Sequence, residues 1–259
     1  MSSGNGARSR IAFVGKGGAG KSVIAGTYAR LLAARDEPVL AVDSDPMPGL
    51  ALSIGVPATD AGIPDDAVEE NPDEEGRRYR LRMPASEAVH RYALTGPDGV
   101  RFLQFGKLRG VVAGGVMRSQ TAFLEILDGL PADEWHVIGD LPGGTRQPFF
   151  GWGRFARTVV VVAEPSAKSL LSARRLARLA TGTDSPRVVA VASKVRQAGD
   201  VEMVARRSGL EVVGVVPWDE AVAEAERQGL APVDGARDSP GVRAVHSLVD
   251  RLQAEMETV

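Results

Sequence analysis

Short apolar runs alternate with amphipathic helical stretches along nearly the whole chain. The runs are rich in β-branched residues, and most are continuously apolar, which is typical of strands covered on both faces of a parallel sheet. They span residues 11–14, 39–42, 100–104, 137–140, 158–163, 188–193 and 212–216. This pattern predicts about seven or eight strands, most of them parallel.

The stretches between these runs place apolar residues at helical spacing, and they include 21–34, 166–179 and 221–227. A last stretch, 241–256, puts its apolar residues on one stripe, which favours a helix packed on the sheet. Its polar face mixes charges of both signs, which argues against a helix lying on a membrane surface. Alternating strands and helices predict a doubly wound α/β fold, with helices on both sides of the sheet. No repeat or long linker divides the chain, so we expect one domain over 1–259.

Two segments depart from this rhythm. Residues 65–75 carry seven acidic side chains, and clustered like charges repel one another and stay hydrated. We interpret them as a surface loop within an acidic insertion spanning 60–78, with an acidic docking patch as the alternative. Residues 1–9 are polar and are expected to be flexible, and they carry no apolar signal region.

Composition narrows the chemistry. The formal charge of −2 gives no overall attraction to DNA or anionic lipid. The absence of cysteine excludes disulfides, zinc–thiolate sites and cysteine nucleophiles. The three histidines are isolated from one another and have no metal-ligand spacing. No run approaches the ~18 apolar residues of a membrane span, so we expect a cytoplasmic protein.

A glycine-rich loop follows the first predicted strand and precedes the first predicted helix. Its sequence has the Walker A spacing, and it comprises Gly15, Lys16, Gly17, Gly18, Ala19, Gly20, Lys21 and Ser22, followed by Val23. Glycines let successive backbone N–H groups point toward phosphate oxygens, and the helix N-terminus adds its partial positive charge. Lys21 supplies a charge for the β- and γ-phosphates, and the Ser22 hydroxyl can bind Mg²⁺. The loop therefore predicts a site for ATP or ADP with Mg²⁺.

Lys16 is not required by the Walker pattern. With it, the loop resembles the deviant Walker A motif of the MinD/ParA-type P-loop ATPases. The resemblance implies that Lys16 reaches across a nucleotide-sandwiched homodimer and contacts the partner's phosphates. In this role Lys16 would act in the manner of an arginine finger.

Carboxylates follow two of the predicted strands. Residues 43–46 resemble the family's Asp-x-Asp-Pro element, which implies that Asp45 orients the hydrolytic water and that Asp43 lies nearer Mg²⁺. An apolar strand ends at Asp140, as in a Walker B element, and Asp140 is expected to hold Mg²⁺ through water. Gly143 lies in a Pro-Gly-Gly segment that looks like the switch that senses the γ-phosphate.

Segments farther along the chain are similar to CooC-like accessory ATPases of carbon monoxide dehydrogenase. They cover 45–52, 162–170, 193–195 and 216–220. In that family the last two segments frame the adenine, which implies base contacts from Ser193, Lys194, Pro217 and Trp218. Trp218 could stack on the purine or could be an ordinary rim or core aromatic residue.

Two departures from the CooC-like pattern bear on function. Ser193 replaces an asparagine that reads the base, so adenine discrimination is expected to be weaker. The stretch 114–119 lacks the family's Cys-x-Cys metal site, and Arg118 would repel a divalent cation. A role as a nickel carrier is therefore not favoured.

Three functions remain open on the sequence. The first is a slow, partner-stimulated ATPase that dimerises with ATP and acts as an accessory factor on an unidentified client enzyme, for example a metalloenzyme. The second is a ParA/MinD-like positioning ATPase that binds DNA or another surface as an ATP dimer, through a basic face at Arg174, Arg175 and Arg178. Nucleic acid is the less expected partner. The third is a nucleotide-binding regulator without turnover, against which Asp45 and Asp140 argue.

Overall fold

A computed structural model describes residues 8–44, 49–57, 62–71, 78–105, 113–142, 151, 153–179 and 185–257. Within these ranges one sheet has eight strands in the order β10-β9-β8-β1-β7-β2-β6-β5. The strands are β1 (Arg10–Val14), β2 (Val39–Asp43), β5 (Leu94–Thr95), β6 (Arg101–Gln104), β7 (His136–Asp140), β8 (Thr158–Ala163), β9 (Arg187–Val195) and β10 (Val212–Pro217). All seven predicted strands are present and are parallel to one another. The edge strand β5, which was not predicted, pairs antiparallel with β6.

Nine helices are found in the described ranges. They are α1 (Lys21–Ala33), α2 (Leu50–Ser53), α3 (Ala85–Tyr92), α4 (Ala113–Gly129), α5 (Ala167–Leu179), α6 (Ala198–Ser208), α7 (Glu220–Arg227), α8 (Pro232–Gly235) and α9 (Pro240–Glu257). The four predicted helices correspond to α1, α5, α7 and α9, with ends shifted by one residue at most.

The continuously apolar strands are buried because helices cover both faces of the sheet. Alternate residues of β1 enter different cores: Ala12 packs with Phe123 of α4 on one face, and Phe13 packs with Tyr28 of α1 on the other. Leu248 of α9 joins the second core, so the predicted packing of the C-terminal helix is confirmed. The predicted doubly wound α/β fold is thus correct.

The interpretation of 65–75 as a loop is wrong for its first half. A 3₁₀ turn at Asp65–Ala67 leads into β3 (Val68–Glu70), which pairs antiparallel with β4 (Tyr79–Leu81). Ala67 and Val68 are fully buried, and their burial stabilises the hairpin against the core. The acidic side chains of Asp65 and Asp66 remain exposed, as their charge requires.

The parallel strands bring the ends of β1, β2 and β7 to one edge of the sheet. In the register of these strands Phe13 lies beside Asp140, and Asp140 lies beside Asp43. Val14 is the last residue of β1, and the chain turns from it through the glycine-rich loop into α1 at Lys21. The predicted phosphate loop and two predicted carboxylates therefore share this edge.

Candidate functional site

The loop between β1 and α1 needs glycine at specific positions. A Cβ on Gly15 would lie 2.4 Å from the carbonyl oxygen of Val162 in β8, so no larger residue fits. Gly20 has a φ of 85°, in the left-handed region, and it immediately precedes α1. The Ala19 N–H donates to the carbonyl of Lys16 at 3.1 Å and closes the turn. These constraints place the loop at the N-terminus of α1, which is an anion-binding arrangement.

Lys21 and Asp140 form a buried ion pair under the loop. The Lys21 Nζ donates to Asp140 Oδ1, and both side chains are more than nine-tenths buried. Sequence analysis assigned these residues to phosphate and to Mg²⁺ but did not place them in contact. Because a buried ammonium needs a counter-charge, Asp140 supplies it when no phosphate is bound.

Asp43 is engaged by the backbone of the neighbouring helix. Its Oδ2 accepts hydrogen bonds from the N–H groups of Gly49 and Leu50, at 3.1 and 3.0 Å, where α2 begins. Gly49 in turn borders Ser22, because a Cβ on Gly49 would lie 3.1 Å from the Ser22 Oγ. Asp43 therefore fixes the segment that packs against Ser22.

The donor set at this edge suits magnesium. Ser22, Asp43 and Asp140 offer only oxygen atoms, which are the ligands that Mg²⁺ prefers. Within the described ranges, no group of three or more His, Cys, Asp or Glu side chains could hold a metal ion. A magnesium ion here would accordingly depend on nucleotide phosphates and water for most of its ligands.

Lys194 connects β9 to the phosphate loop. Its Nζ donates to the carbonyl oxygen of Gly18 at 2.6 Å, and its backbone adopts a φ of 56°, which is uncommon for lysine. Ser193, directly before it, is buried, and its Oγ would lie 3.3 Å from a Cβ on Gly20. Because this contact joins residues 176 positions apart, no local pattern in the sequence predicted it.

Trp218 lies at the rim and is 38% exposed. Two cations lie over its ring: the Arg196 Cζ is 4.5 Å from the ring centroid, and the Lys194 Nζ is 5.7 Å away. Such distances are typical of cation–π contacts. A purine that stacked on Trp218 would have to use a face that these cations leave open or displace one of them.

These residues enclose one cavity of about 420 Å³. From the sequence-predicted set, it is lined by Lys16, Gly17, Gly18, Gly20, Lys21, Ser22, Val23, Ser193, Lys194, Pro217 and Trp218. Asp43 and Asp140 are not in its wall and lie buried beneath the loop, and Gly15 and Ala19 are also buried behind it. The volume is in the range of small-molecule sites.

The inner wall of the cavity was not predicted from the sequence. It is made by α1 and the C-terminal helices, and it includes Ile24, Thr27, Pro232, Val242 and Val245. Thr27 is 1% exposed, and its Oγ1 has no hydrogen bond within the described part of the chain. Ile24, Pro232, Val242 and Val245 give this wall an apolar surface, which suits the planar part of a ligand whose charged part lies at the loop, and Asp219 and Glu226 also line the cavity.

The remaining family-like segments serve to fix helices. Ser166 donates to the Glu164 carboxylate at 2.9 Å and accepts from the Ser169 N–H at the start of α5. Asp219 accepts from the N–H groups of Ala221 and Gly241, which start α7 and α9. Burial raises the pKa of Asp219, but hydrogen bonds from the Gly241 N–H, the Ser239 hydroxyl and the Ala221 N–H together outweigh burial and lower that pKa overall.

Some predicted residues lie outside the described ranges or away from the cavity. Asp45 and Gly143 belong to the former group. The stretch 114–119 falls within the first turns of α4, where Arg118 lies over the Tyr79 ring at 4.9 Å and the Ser119 Oγ donates to the carbonyl of Ile63 at 3.0 Å. No helix in the described ranges is long and apolar enough to cross a membrane.

Comparisons with known proteins agree with this geometry. The family model described as the CobQ/CobB/MinD/ParA nucleotide binding domain matches residues 11–233. An uncharacterised ATP-binding protein of Methanocaldococcus jannaschii is 29% identical over 235 residues, which cover 85% of this chain and 89% of that protein. The carbon monoxide dehydrogenase accessory protein CooC of Rhodospirillum rubrum is 28% identical over 244 residues, covering 87% of this chain and 89% of CooC.

Solved structures agree on the fold. The cell division ATPase MinD of Pyrococcus furiosus superposes with a TM-score of 0.71 at 21% identity, over 95% of this chain and 99% of that one. MinD of Pyrococcus horikoshii, complexed with Mg-ADP, gives a TM-score of 0.70 at 18% identity, over 97% and 100% of the two chains. At these identities the likeness establishes the architecture only.

Proposed function

Since the chain belongs to the CobQ/CobB/MinD/ParA nucleotide-binding family and is an ATP-binding P-loop ATPase, we propose that ATP drives it into a homodimer that acts on a partner enzyme. The proposal has three parts: the nucleotide and its metal, the dimer, and the client. Each part is supported by a different set of residues.

The nucleotide phosphates bind at the loop, with the Lys21 ammonium exchanging its Asp140 partner for phosphate oxygens. The buried Lys21–Asp140 pair supports this exchange, because it holds the ammonium at the N-terminus of α1 before the ligand arrives. Ser22, Asp43 and Asp140 would hold Mg²⁺, directly or through water. When bound, the metal neutralises charge that develops on the phosphates during transfer.

The adenine would lie between Trp218 and the inner wall. Lys194 braces the loop at Gly18 and approaches Trp218, so it links the base end of the site to its phosphate end. Hydrolysis requires a water molecule oriented toward the γ-phosphate. We assign the orientation of this water to Asp45 and the sensing of the γ-phosphate to Gly143. Positioning of this kind supplies much of the rate in phosphoryl transfer.

The position of the Lys16 side chain is the main observation that supports the proposed homodimer. It lines the cavity beside Gly17 and Gly18, and its ammonium makes no ion pair or hydrogen bond with any other residue of the described ranges. Lys21 and Lys194 already have defined roles at the protomer's own loop. Lys16 is therefore available to contact the phosphates bound by a second copy.

An accessory role is supported by the likeness to CooC over 87% of the chain. Since this sequence contains no cysteine, the dimer is proposed to remodel or load its client without storing a soft metal between its subunits. Equilibrium dialysis of the ATP-bound protein against Ni²⁺ or Zn²⁺ should accordingly reveal no tight site. Stoichiometric retention of either metal would overturn this part of the proposal.

The dimer is tested by light scattering with Mg-ATP, with Mg-ADP and without nucleotide. Asp45→Ala should block turnover and accumulate the dimer with ATP only, whereas adding Lys16→Ala to it should leave a monomer that still binds ATP. Bound nucleotide is measured in parallel with a fluorescent ATP analogue. A monomeric mass for Asp45→Ala with ATP fully bound would refute the dimer switch.

A second candidate function is supported by one surface. Exposed arginines lie on the neighbouring helices α5 and α6 and form no ion pairs within the described ranges: Arg174, Arg175, Arg178, Arg206 and Arg207. Such a face could bind nucleic acid phosphates in a positioning ATPase. The test is a DNA mobility shift with Mg-ATP at several salt concentrations. Steeply salt-dependent binding that Arg174→Gln weakens would favour this function over the accessory role.

A further inference from the structure

A second cavity lies at the opposite edge of the sheet from the phosphate loop. It has a volume of about 260 Å³ and is formed where β1 and β8 begin and α4 ends. Because β1 runs from Arg10 to Val14, its two ends are separated by about 13 Å. The cavity is thus distinct from the nucleotide site.

Arg10 forms the buried side of this cavity and is only 8% exposed. Its Nη2 donates to the carbonyl oxygens of Leu130 and Pro131, at 2.7 and 2.8 Å, after the end of α4. Its Nε is buried and has no hydrogen bond within the described ranges, and no carboxylate there pairs with the guanidinium. A buried charge without a counter-charge is costly. The two hydrogen bonds to carbonyls after α4 therefore do not fully account for the burial of the Arg10 guanidinium.

Two further arginines line the same cavity. Arg157 is exposed, and Arg154 is offset by Asp128, whose Oδ2 lies 3.5 Å from the Arg154 Nη1. Burial lowers the pKa of Arg10, and the nearby charge of Arg157 lowers it further. The like charges of Arg10 and Arg157 thus face one cavity, and within the described residues Asp128 supplies the acidic group of its wall.

We propose that this cavity, between the start of β1 and the end of α4, binds a dianionic phosphate group held by Arg10, Arg157 and Arg154. Guanidinium groups match the oxygens of such an anion in charge and in geometry. The bound anion would supply the counter-charge that Arg10 lacks and would relieve its repulsion with Arg157. The ligand is either free phosphate or a phosphomonoester.

The wall of the cavity bears on which of these two sources is used. Leu130 and Phe155 contribute apolar surface beside the arginines, and 260 Å³ exceeds the ~30 Å³ share of one water molecule several-fold. A phosphomonoester could place its organic group against that surface. Inorganic phosphate and phenyl phosphate therefore serve as the two probes.

Binding is measured by calorimetry on the full chain saturated with Mg-ADP, so that the phosphate loop is occupied. Ionic strength is matched with chloride. We expect at least one probe to bind, and Arg157→Gln to weaken it by about tenfold or more, while leaving the affinity for Mg-ADP unchanged. Arg157 is exposed, so this variant should fold even if replacing the buried Arg10 disrupts the protein. Arg206→Gln, an exposed arginine on α6, is the matched control and should change affinity by less than about twofold.

Tighter binding of phenyl phosphate would identify a phosphomonoester, whereas equal affinities would identify the free anion, and both results support the site. The proposal fails if neither probe binds beyond the chloride control. It also fails if Arg157→Gln and Arg206→Gln bind the probes equally well, because the anion would then lie elsewhere.

Discussion

The Lys21 ammonium rests against the Asp140 carboxylate beneath the phosphate loop, with both groups almost completely removed from solvent. The pair holds the lysine charge where the α1 N-terminus already favours an anion. If phosphates bind Lys21 as proposed, nucleotide binding must therefore compete with an internal carboxylate for this lysine. This competition gives Asp140 opposite effects on two measurable properties.

Asp140→Asn should reduce ATP turnover by about 100-fold or more, because the proposed Mg²⁺ site loses a negative charge. The same change should leave Mg-free ADP affinity unchanged or raise it by up to about tenfold, since Lys21 no longer has a competing partner. The ligand-free protein should lose ~3 kcal/mol of stability, because the ammonium is buried unpaired. Turnover, calorimetry without Mg²⁺ and urea unfolding measure the three effects. A large loss of Mg-free ADP affinity would contradict the exchange of partners.

Gly15 and Gly17 make a matched pair for the steric requirement of the loop. A Cβ at Gly15 would meet the Val162 carbonyl at 2.4 Å, whereas a Cβ at Gly17 has no neighbour within 4 Å. Gly15→Ala should therefore destabilise the ligand-free protein by ~2 kcal/mol or more, and Gly17→Ala should change its stability by less than ~0.5 kcal/mol. Thermal unfolding without nucleotide compares them. Equal losses would show that the close approach to β8 does not constrain the loop.

The sequence predicted the elements whose burial follows directly from a local pattern of apolar residues. The seven apolar runs, most of them continuous, became the seven parallel strands, because a continuously apolar strand is stable when both of its faces are covered. It missed β5 at Leu94–Thr95 and the hairpin β3–β4, whose strands have two or three residues and are held by tertiary packing. The acidic residues of 65–75 favoured a fully exposed loop, so the burial of Ala67 and Val68 was not predicted.

The site was predictable to a similar extent. The loop motif identified the phosphate end, and eleven predicted residues line one cavity. The contacts of Lys194 with Gly18 and of Lys21 with Asp140 join residues more than 100 positions apart. Spacing along the chain carries no information on such pairs. The second cavity was missed for the same reason, since Arg10 and Arg157 meet only through the pairing of β1 with β8.

Trp218 provides a test of the base end of the site. If a purine stacks on it, Trp218→Leu should weaken ATP binding by about tenfold and should remove a nucleotide-dependent change in tryptophan fluorescence. Trp135, which lies 7% exposed in the core near His90, is the control. Trp135→Phe should leave ATP affinity unchanged. An undiminished affinity in Trp218→Leu would assign Trp218 to the rim alone.

Arg30 of α1 is buried, and its guanidinium joins two carboxylates that lie at the surface. It pairs with Asp98 at 2.7 Å and with Asp234 at 2.8 Å, and its Nη1 donates to the carbonyl of Ile54. Arg30→Ala should cost ~2 kcal/mol or more, because it removes a buried side chain and leaves the buried carbonyl of Ile54 without its donor. Arg35→Ala is the control, since the Arg35–Asp250 pair is more exposed and should contribute less than ~1 kcal/mol. Urea unfolding separates them, and equal losses would argue against a structural network at Arg30.

His136 makes the stability of the protein sensitive to acid. Its Nδ1 accepts a hydrogen bond from the Ser9 N–H at 2.9 Å, so this nitrogen is not protonated in the fold. Burial, with the charge of Arg8, lowers the pKa of His136 to about 4, although the Glu37 carboxylate acts in the opposite direction. In the unfolded chain the pKa returns to about 6.5.

Between these two pKa values the unfolded chain binds the extra proton. The contribution of His136 to stability is therefore constant above pH 6.5, and it decreases as the pH falls toward 4. The expected loss is ~2–3 kcal/mol over that interval. His136→Asn can still accept from Ser9 through its amide oxygen but does not titrate, so its stability should fall less steeply with acid.

Urea unfolding of both proteins at pH 7.5, 6.5, 5.5 and 4.5 isolates the effect of His136 and its partner Glu37, because carboxylates remote from His136 titrate equally in the two proteins. His246→Asn is the control, since His246 is exposed and pairs with Asp250 on the surface of α9. It should follow the wild-type profile to within ~0.5 kcal/mol. A pH-independent difference between the wild type and His136→Asn would mean that His136 does not become charged on unfolding in this range. The acid sensitivity would then have to originate in the carboxylates.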